Sequence, residues 1–330
     1  MAVYIGNNKK LLSLLILEIL KQYTDDGHRL TQKEIINLLK LNYGMECDRR
    51  SVHNNIQILK DFGYEIETGR GCYLVEREFE DAELRMLIDS VLFSKNLSDV
   101  QAKRLIEKLK GLGNRYFHAK VSHISTLPEL FHSDNKQVMI VLDVLNDAIE
   151  KKRKVRFTYN RYGIDFKLHA RSDKLYIVNP YQMVANNGRY YLIGNYDSYD
   201  DVSHYRIDRI TSIEILSESV KPRKDVKELS QGWTIPKHMA EHIYMYSGAC
   251  VTVKFTADTS LMDELVDWFG KSFRIEEDDN GKMLVTLECN EEAMKYWALQ
   301  YGDCIEIIAP KSLRAAVKEV VERMAKKYAD

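Results

Sequence analysis

The feature that most constrains how this chain folds is an Asn187-Gly188 dipeptide between two runs of apolar and aromatic residues over 179–194. Asn-Gly adopts the positive φ angles that a two-residue type I′ turn requires, so the two runs are predicted to form a β-hairpin. Residues 204–210, His-Tyr-Arg-Ile-Asp-Arg-Ile, are predicted to add a short strand. Together these segments place aromatic rings and charged groups on one small sheet, an arrangement that can bind an anion.

The length and the distribution of charge indicate several domains and an anionic partner. A chain of 330 residues is long for one hydrophobic core, so we expect two or three domains. Residues 151–224 contain 15 Lys and Arg against 8 Asp and Glu, whereas residues 225–330 contain 13 against 19. The basic central segment suggests that this part binds an anion. The alternative is that the basic and acidic segments attract each other.

Composition also excludes several classes of protein. No apolar run approaches the roughly 18–20 residues that span a bilayer, so we expect no membrane association. The 5 cysteines are scattered and form no Cys-x-x-Cys pair, so we expect neither disulfides nor a cysteine zinc site. These features favour a cytoplasmic protein without a cofactor.

Residues 1–77 have the pattern of three helices followed by a hairpin. A Thr-x-x-Glu capping box at Thr31 predicts the start of the second helix. Asp48 is the predicted N-cap of the third helix, and Gly63 is its predicted end. Two short strands are predicted on either side of residues 69–71. This order is that of a winged helix-turn-helix DNA-binding domain.

The third helix carries the side chains expected to contact DNA. Arginine can pair with guanine and asparagine with adenine in the major groove, while an arginine in the wing can reach a phosphate. The alternative is a solvated polar helix face. The predicted DNA-binding residues are Arg49, Arg50, Ser51, His53, Asn54 and Arg70.

The remainder of the chain divides into four segments. Residues 78–150 show helical periodicity and are predicted to be a helical connector. Residues 151–224 alternate in the manner of strands and predict a small barrel. Residues 225–249 are a predicted linker, and residues 250–330 have the order β-α-β-α-β-α, which predicts one small sheet with helices on one face.

The barrel residues suited to an anionic ligand combine arginines, a lysine, histidines and tyrosines. Strand alternation puts Arg206 and Asp208 on one face and Arg209 on the other, so one arginine is expected to be a structural partner of Asp208 or of a neighbouring carboxylate. The alternative is that these are exposed strand charges and core tyrosines. The predicted ligand-binding residues are Tyr159, Arg161, Lys167, His169, Tyr191, His204, Arg206, Asp208 and Arg209.

Catalytic and metal motifs receive little support. His238 and His242 have the i,i+4 spacing of a helical metal pair, but Glu241 does not occupy the position of a His-Glu-x-x-His general base. The sequence contains no Gly-x-Ser-x-Gly and no phosphate-binding glycine loop. We therefore expect no metal site, no catalytic residues and no enzymatic activity.

The chain resembles the WYL-domain transcriptional regulators in three separate modules. The signature tripeptide, usually Trp-Tyr-Leu, is Tyr-Tyr-Leu here and is flanked by the motifs that accompany it. The third helix and the C-terminal region add their own motifs. The matching segments are 180–181, 190–192, 205–210, 50–63, 302–306 and 310–314.

The resemblance implies an α+β, multidomain chain. Its parts would be a winged helix-turn-helix, a helical connector, an Sm-like small β-barrel that senses a ligand, and a ferredoxin-like C-terminal extension that mediates dimerisation. It implies a homodimer that binds a double-stranded DNA operator and responds to a nucleotide or single-stranded nucleic acid at the barrel. The alternative function is an accessory protein that binds nucleic acid and modulates a phage-defence or CRISPR nuclease. An enzyme acting on nucleotides is a third hypothesis.

Overall fold

The chain forms two compact α+β units, which comprise residues 1–132 and 133–330. We describe each unit separately, using a computed structural model. The residues that it describes are 9–121, 135–230, 233–277 and 281–329. In this part of the chain, no helix combines the length and the apolarity that crossing a membrane would need.

The first unit begins with three helices and a two-stranded hairpin, and three further helices follow. The elements are α1 (Leu12–Tyr23), α2 (Gln32–Tyr43), α3 (Arg49–Phe62), β1 (Ile66–Glu67), β2 (Tyr73–Leu74), α4 (Asp81–Leu92), α5 (Asp99–Lys110) and α6 (Arg115–Val121). Ile16 of α1, Ile35 of α2 and Val52 of α3 are fully buried against one another. The apolar stripes seen in the sequence therefore meet in one core.

Local signals set the ends of these helices as predicted. The Thr31 hydroxyl accepts a hydrogen bond from the backbone N–H of Glu34, whose carboxylate accepts the backbone N–H of Thr31 in return. Asp48 Oδ1 accepts the N–H of Ser51 at 2.8 Å, which begins α3. Gly63 ends α3 with a φ of 117°, a conformation that a side chain disfavours.

Phe62, in the last turn of α3, is exposed and lies near the ring of Tyr64. Each residue advances a helix by about 100°, so Phe62 lies about 60° around the helix from Leu59, at the edge of the buried stripe. Beyond the hairpin, α4, α5 and α6 pack around buried Leu84, Ile88 and Phe117. This is the helical packing expected after residue 78.

The second unit starts with a helix and a curled sheet. The elements are α7 (Val138–Glu150), β3 (Arg153–Tyr162), β4 (Leu168–Ala170), β5 (Tyr176–Asn186), β6 (Arg189–Asn195), β7 (Ser203–Arg206) and β8 (Ile210–Ser219). The strand order is β4-β3-β5-β6-β7, and β8 pairs with β3, which bends the sheet into a half-barrel. The turn between β5 and β6 has φ of 49° at Asn187 and 72° at Gly188, so the predicted type I′ hairpin is confirmed.

Helix α7 packs onto the half-barrel. Val141, Leu145 and Ala148 are fully buried, and they share a core with Phe157 and Leu192 of the sheet. The strands alone would leave this face exposed to water. The helix that we assigned to the connector over 78–150 thus lies with the sheet that follows it.

The segment after β7 differs from the expected strand. β7 ends at Arg206, and Ile207–Arg209 form a 3-10 turn before β8 begins at Ile210. Ile207 and Asp208 are both buried although they are adjacent in sequence. A strand exposes neighbouring side chains on opposite faces, so the turn is what allows both to point inward.

Residues 225–249, expected to be a linker, pack against the second face of the sheet. This segment contains α8 (Ile235–Glu241), and Val226, Leu229 and Met245 are buried against Ile193 of β6. The apolar side chains of the segment shield this face of the sheet from water.

The C-terminal part is a four-stranded antiparallel sheet with helices. The elements are β9 (Cys250–Ala257), α9 (Met262–Phe269), β10 (Arg274–Glu277), β11 (Met283–Asn290), α10 (Glu291–Gln300), β12 (Ile305–Ala309) and α11 (Lys311–Tyr328). The strand order is β10-β11-β9-β12. Strand β10 was not predicted, because an edge strand with a single apolar residue, Ile275, shows no clear alternation. Trp297 and Leu313 anchor the helices to Phe255 of the sheet.

Candidate DNA-binding and effector sites

The exposed face of α3 presents most of the predicted DNA-binding side chains. Arg49, Arg50, His53 and Asn54 are exposed, whereas Ser51 is half-buried and its backbone N–H is held by the Asp48 cap. The cap sets where α3 begins, and burial of Val52 and Ile56 sets which face of the helix points outward. The face can offer donors and acceptors to a nucleic acid.

A groove of about 410 Å³ lies between α3 and the hairpin turn. His53 of α3 and Arg70 of the turn both line it, so the structure brings these two predicted residues together. Gln57 and Lys60 also line the groove and were missed. Their spacing from His53, four and seven residues, places them on the same helix face and was the available signal.

Asn55 has a structural role on the opposite side of α3. Its side-chain amide donates to the backbone oxygen of Ser51 at 2.8 Å, and the Ser13 hydroxyl donates to Asn55 Oδ1 at 2.5 Å. Asn55 thereby joins α3 to α1. This contact holds the exposed face in a defined orientation.

In the half-barrel, a buried carboxylate joins two arginines. Asp208 is 1% exposed and accepts hydrogen bonds from Arg206 Nε at 3.1 Å and from the Arg206 terminal nitrogen at 2.6 Å. Arg189 donates to the same carboxylate at 3.0 Å. The expectation that one arginine pairs with Asp208 is met by Arg206, with Arg189 as a second partner. We call Arg189, Arg206, Arg209 and Asp208 the arginine cluster.

The arginine cluster has more positive than negative charge. Arg209 is close enough to act electrostatically on Arg189 and Tyr191, yet its buried Nε has no hydrogen-bond acceptor among the described residues. Burial, followed by repulsion from Arg206, lowers the pKa of Arg189. Two guanidinium groups thus contact the Asp208 carboxylate, and a third lies near them. An anion with several oxygen atoms would satisfy the remaining donors.

Two tyrosines lie beside the cluster in different roles. The Tyr159 hydroxyl accepts the backbone N–H of Arg206 at 3.0 Å, but its ring is 6% exposed and packs edge-on against Tyr205. Tyr159 is therefore a core tyrosine, as the alternative interpretation holds. Tyr191 is half-buried and stands opposite Arg206 in the register of β6 and β7. Burial raises the pKa of both hydroxyls, so both remain neutral donors.

The other predicted ligand-binding residues lie elsewhere. Arg161, Lys167 and His169 are exposed on the hairpin of β3 and β4, where His169 Nε2 lies 3.0 Å from Asp165. Within the described residues, no hydrogen bond or ion pair joins these three to the arginine cluster. His204 contacts His238 instead, with 2.8 Å between their Nε2 atoms.

Two cationic features were missed by sequence reasoning. Arg189 lies two residues before Tyr191 on β6, so strand alternation was the signal that could have placed it on the same face. The second feature is a groove of about 690 Å³ beside Tyr181. Its cationic lining residues are Lys151, Lys152, Arg153, Lys221 and Arg223. The groove and the arginine cluster together hold 8 of the 15 Lys and Arg of residues 151–224.

Comparison with known protein families identifies two domains within the second unit. The model of the WYL domain matches residues 140–215, and the model of the WCX domain matches residues 250–325. The chain therefore contains a WYL domain followed by a WCX domain, as the resemblance to the WYL-domain regulators implied. The match to the WYL domain begins within α7, in agreement with the packing of that helix on the sheet.

One curated relative matches nearly the whole chain. It is the "Uncharacterized HTH-type transcriptional regulator YobV" of Bacillus subtilis (strain 168), 21% identical over 317 residues, which is 91% of this chain and 96% of that protein. Two solved structures are also similar. Proteasome accessory factor B/C (PafBC) of Arthrobacter aurescens has 15% identity and a TM-score of 0.31, and this chain spans 50% of its length. A structure titled as a CRISPR Cas-related protein has 15% identity and a TM-score of 0.38, with 97% of this chain and 84% of that chain covered.

Proposed function

We propose that this protein is a DNA-binding transcriptional regulator whose WYL domain binds an anionic effector at the arginine cluster. The observation that carries the proposal is the excess of guanidinium groups around the single buried carboxylate of Asp208. One carboxylate cannot accept from every N–H group of these arginines, so an external anion would accept from the donors that remain. We further propose that the protein does not turn over a substrate and acts in the cytoplasm.

The first unit would be the DNA-binding part. Its three helices and short hairpin have the order of a winged helix-turn-helix. Helix α3 would enter the major groove with Arg50 and Asn54 near the bases. Arg70 of the wing would contact a phosphate. The exposure of all three side chains supports this assignment.

The finer fold assignments have independent support in the strand connections. A helix followed by a curled antiparallel sheet, with a 3-10 turn between β7 and β8, fits an Sm-like barrel. The order β10-β11-β9-β12, with α9 after the first strand and α10 after the third, fits a ferredoxin-like extension.

The effector would be a nucleotide or a single-stranded nucleic acid. Arginine forks match the oxygen geometry of phosphate, and the ring of Tyr191 beside them offers a surface on which a base can stack. A ligand that carries only carboxylate groups would pair with the arginines equally well, but it could not stack on the ring of Tyr191. The effector would regulate by binding one conformation of the protein more tightly than another.

The active form would be a homodimer. On α11, Val321, Met324 and Tyr328 are exposed at spacings of three and four residues, which form an apolar stripe on one helix face. A second copy of this helix would cover the stripe. Two DNA-binding units would then read a pseudo-palindromic operator.

A crossed pair of substitutions tests the proposal. Arg50→Ala should weaken binding to the duplex from upstream of the protein's own gene and leave binding of labelled single-stranded DNA unchanged. Arg209→Ala should do the reverse. Because each lost phosphate contact reduces the salt dependence of binding, Arg70→Ala should lower the log–log salt slope by about 1. Arg104→Ala, which changes an exposed arginine on α5, is the matched control.

Equal losses of both activities in either folded variant would contradict a two-site regulator. An unrelated duplex distinguishes an operator from general affinity for DNA. Single-strand binding without any preferred duplex, together with co-purification of a nuclease, would instead support the accessory-protein hypothesis. Conversion of mono- or oligonucleotides in a turnover assay would contradict the proposal that the protein is not an enzyme.

A further inference from the structure

Three histidines that are distant in sequence converge beside the half-barrel. His204 lies on β7, His238 lies on α8, and His242 follows α8 directly. Their potential ligand atoms all lie within 4.8 Å of one another. His204 Nε2 is 2.8 Å from His238 Nε2, and the ring centroids of His238 and His242 are 4.3 Å apart. Only the His238 and His242 spacing was visible in the sequence.

We propose that His204, His238 and His242 form a binding site for a divalent transition metal of the zinc class. This inference goes beyond the regulator proposal and does not depend on it. It also replaces our expectation of no metal site. Three imidazoles from separate elements with one position left open are a common zinc arrangement. Tetrahedral zinc bonds of about 2.0–2.1 Å to nitrogen require His204 Nε2 and His238 Nε2, now 2.8 Å apart, to separate by about half an ångström.

Partners on the far side of two rings orient the site. His242 Nδ1 lies 2.9 Å from the backbone oxygen of Tyr246, so it donates its hydrogen there and leaves Nε2 with a free lone pair. His204 Nδ1 lies 3.5 Å from the Ser247 hydroxyl, which also accepts the backbone N–H of His204. Outer partners of this kind hold metal-binding histidines in the correct tautomer.

A metal binds the neutral form of imidazole, through a ring nitrogen that carries no proton. His238 is 3% exposed and His242 is 1% exposed, so these two rings present their nitrogens to a site largely shielded from water. A cation is also favoured by the neighbouring Glu241 carboxylate, which with His242 and Cys250 forms a second group of donors within 4.8 Å.

The chemistry of the donors selects the class of metal. Imidazole nitrogen, with a thiol nearby, suits zinc and its neighbours in the first transition row, whereas magnesium and calcium take oxygen ligands. The Cys250 sulfur is 3.5 Å from His242 Nε2. A bound ion would join β7 of the WYL domain to α8 and to the segment that leads into β9 of the WCX domain.

Metal titration tests the site directly. Full-length protein without a polyhistidine tag is stripped with a chelator and then competes with a chromophoric chelator for Zn²⁺. The wild type is expected to bind one Zn²⁺ per chain. His204→Gln is expected to bind at least about 100-fold more weakly, because loss of outer-shell partners alone costs about 10–100-fold. His118→Gln, an exposed histidine of the first unit, is the matched control and should behave as the wild type.

Two additional measurements make the result decisive. Ser247→Ala removes only an outer partner, so it should fold normally and bind Zn²⁺ about 10-fold more weakly. Co²⁺ in place of Zn²⁺ should give the intense visible bands of tetrahedral coordination in the wild type and lose them in His204→Gln. A wild-type protein that cannot compete for Zn²⁺, or a folded His204→Gln that competes equally well, would overturn the proposal.

Discussion

Substitution of Asp208 tests how the arginine cluster is held together. Its carboxylate is 1% exposed and accepts from both Arg206 and Arg189. Asp208→Asn keeps the shape of the side chain but leaves two guanidinium groups without their anion. Removal of one partner from a buried pair costs about 3–5 kcal/mol, mostly because the remaining charge is unpaired.

The expected magnitude lies at the lower end of this range. The side chains of Arg206 and Arg189 are 18% and 27% exposed, so water partly solvates both. We expect Asp208→Asn to lower the free energy of unfolding by about 3 kcal/mol. Arg209→Ala should lower it by about 1 kcal/mol or less, since no hydrogen bond to the Arg209 Nε atom is lost and mainly packing changes.

Urea unfolding followed by tryptophan fluorescence measures the stability of the second unit, which contains the arginine cluster. The 3 tryptophans, Trp233, Trp268 and Trp297, all lie in the second unit. With a slope of about 2–3 kcal/mol per molar urea, a loss of 3 kcal/mol lowers the midpoint by about 1–1.5 M. The double variant Asp208→Asn with Arg206→Met should be more stable than the single variant, because one unpaired charge is removed.

Two outcomes would refute this reasoning. Asp208→Asn with the midpoint of the wild type would mean that the paired carboxylate contributes nothing to stability. A double variant that shows the simple sum of the two single losses would mean that Asp208 and Arg206 are not coupled, despite their hydrogen bonds.

Two further predictions concern local signals. Thr31→Ala should lower the free energy of unfolding of the first unit by about 1 kcal/mol, because it removes the capping acceptor of α2. Far-UV circular dichroism during urea unfolding measures this loss. Gln32→Ala is the control, and equal losses in the two variants would contradict the role of Thr31 as the N-cap. Gly188→Ala should destabilise the second unit by about 1–2 kcal/mol in the urea assay because φ is 72° there, whereas Asn187→Gly should retain the turn, since glycine also adopts a positive φ. An unchanged Gly188→Ala midpoint would contradict a type I′ hairpin.

Many features of this fold were accessible from the sequence because they are local. The Thr31 capping box, the Asp48 cap, the Gly63 terminus and the Asn187-Gly188 turn each depend on a few neighbouring residues. Hydrophobic periodicity also located α1 to α3 and the strands of the half-barrel. The same patterns predicted that one arginine near Asp208 is structural, but they left open which one.

The elements that were missed have weak or conflicting local patterns. Strand β10 is recognisable only from its pairing with β11, since an edge position imposes little alternation. The 3-10 turn at residues 207–209 interrupts a pattern that reads as a strand, because two adjacent side chains are both buried there. In both cases a tertiary contact overrides local propensity.

The sequence by itself determined the helix caps, the hairpin turn and the amphipathic faces, since these depend on backbone preferences and on spacing along the chain. Only the tertiary structure decided which charges meet. Arg189 joins Asp208 through the register of β6 and β7, and His204 reaches His238 across 34 residues because α8 folds onto the sheet. The physical reason is that burial of apolar surface favours compaction without regard to sequence distance, so it brings together polar groups whose proximity no local pattern encodes.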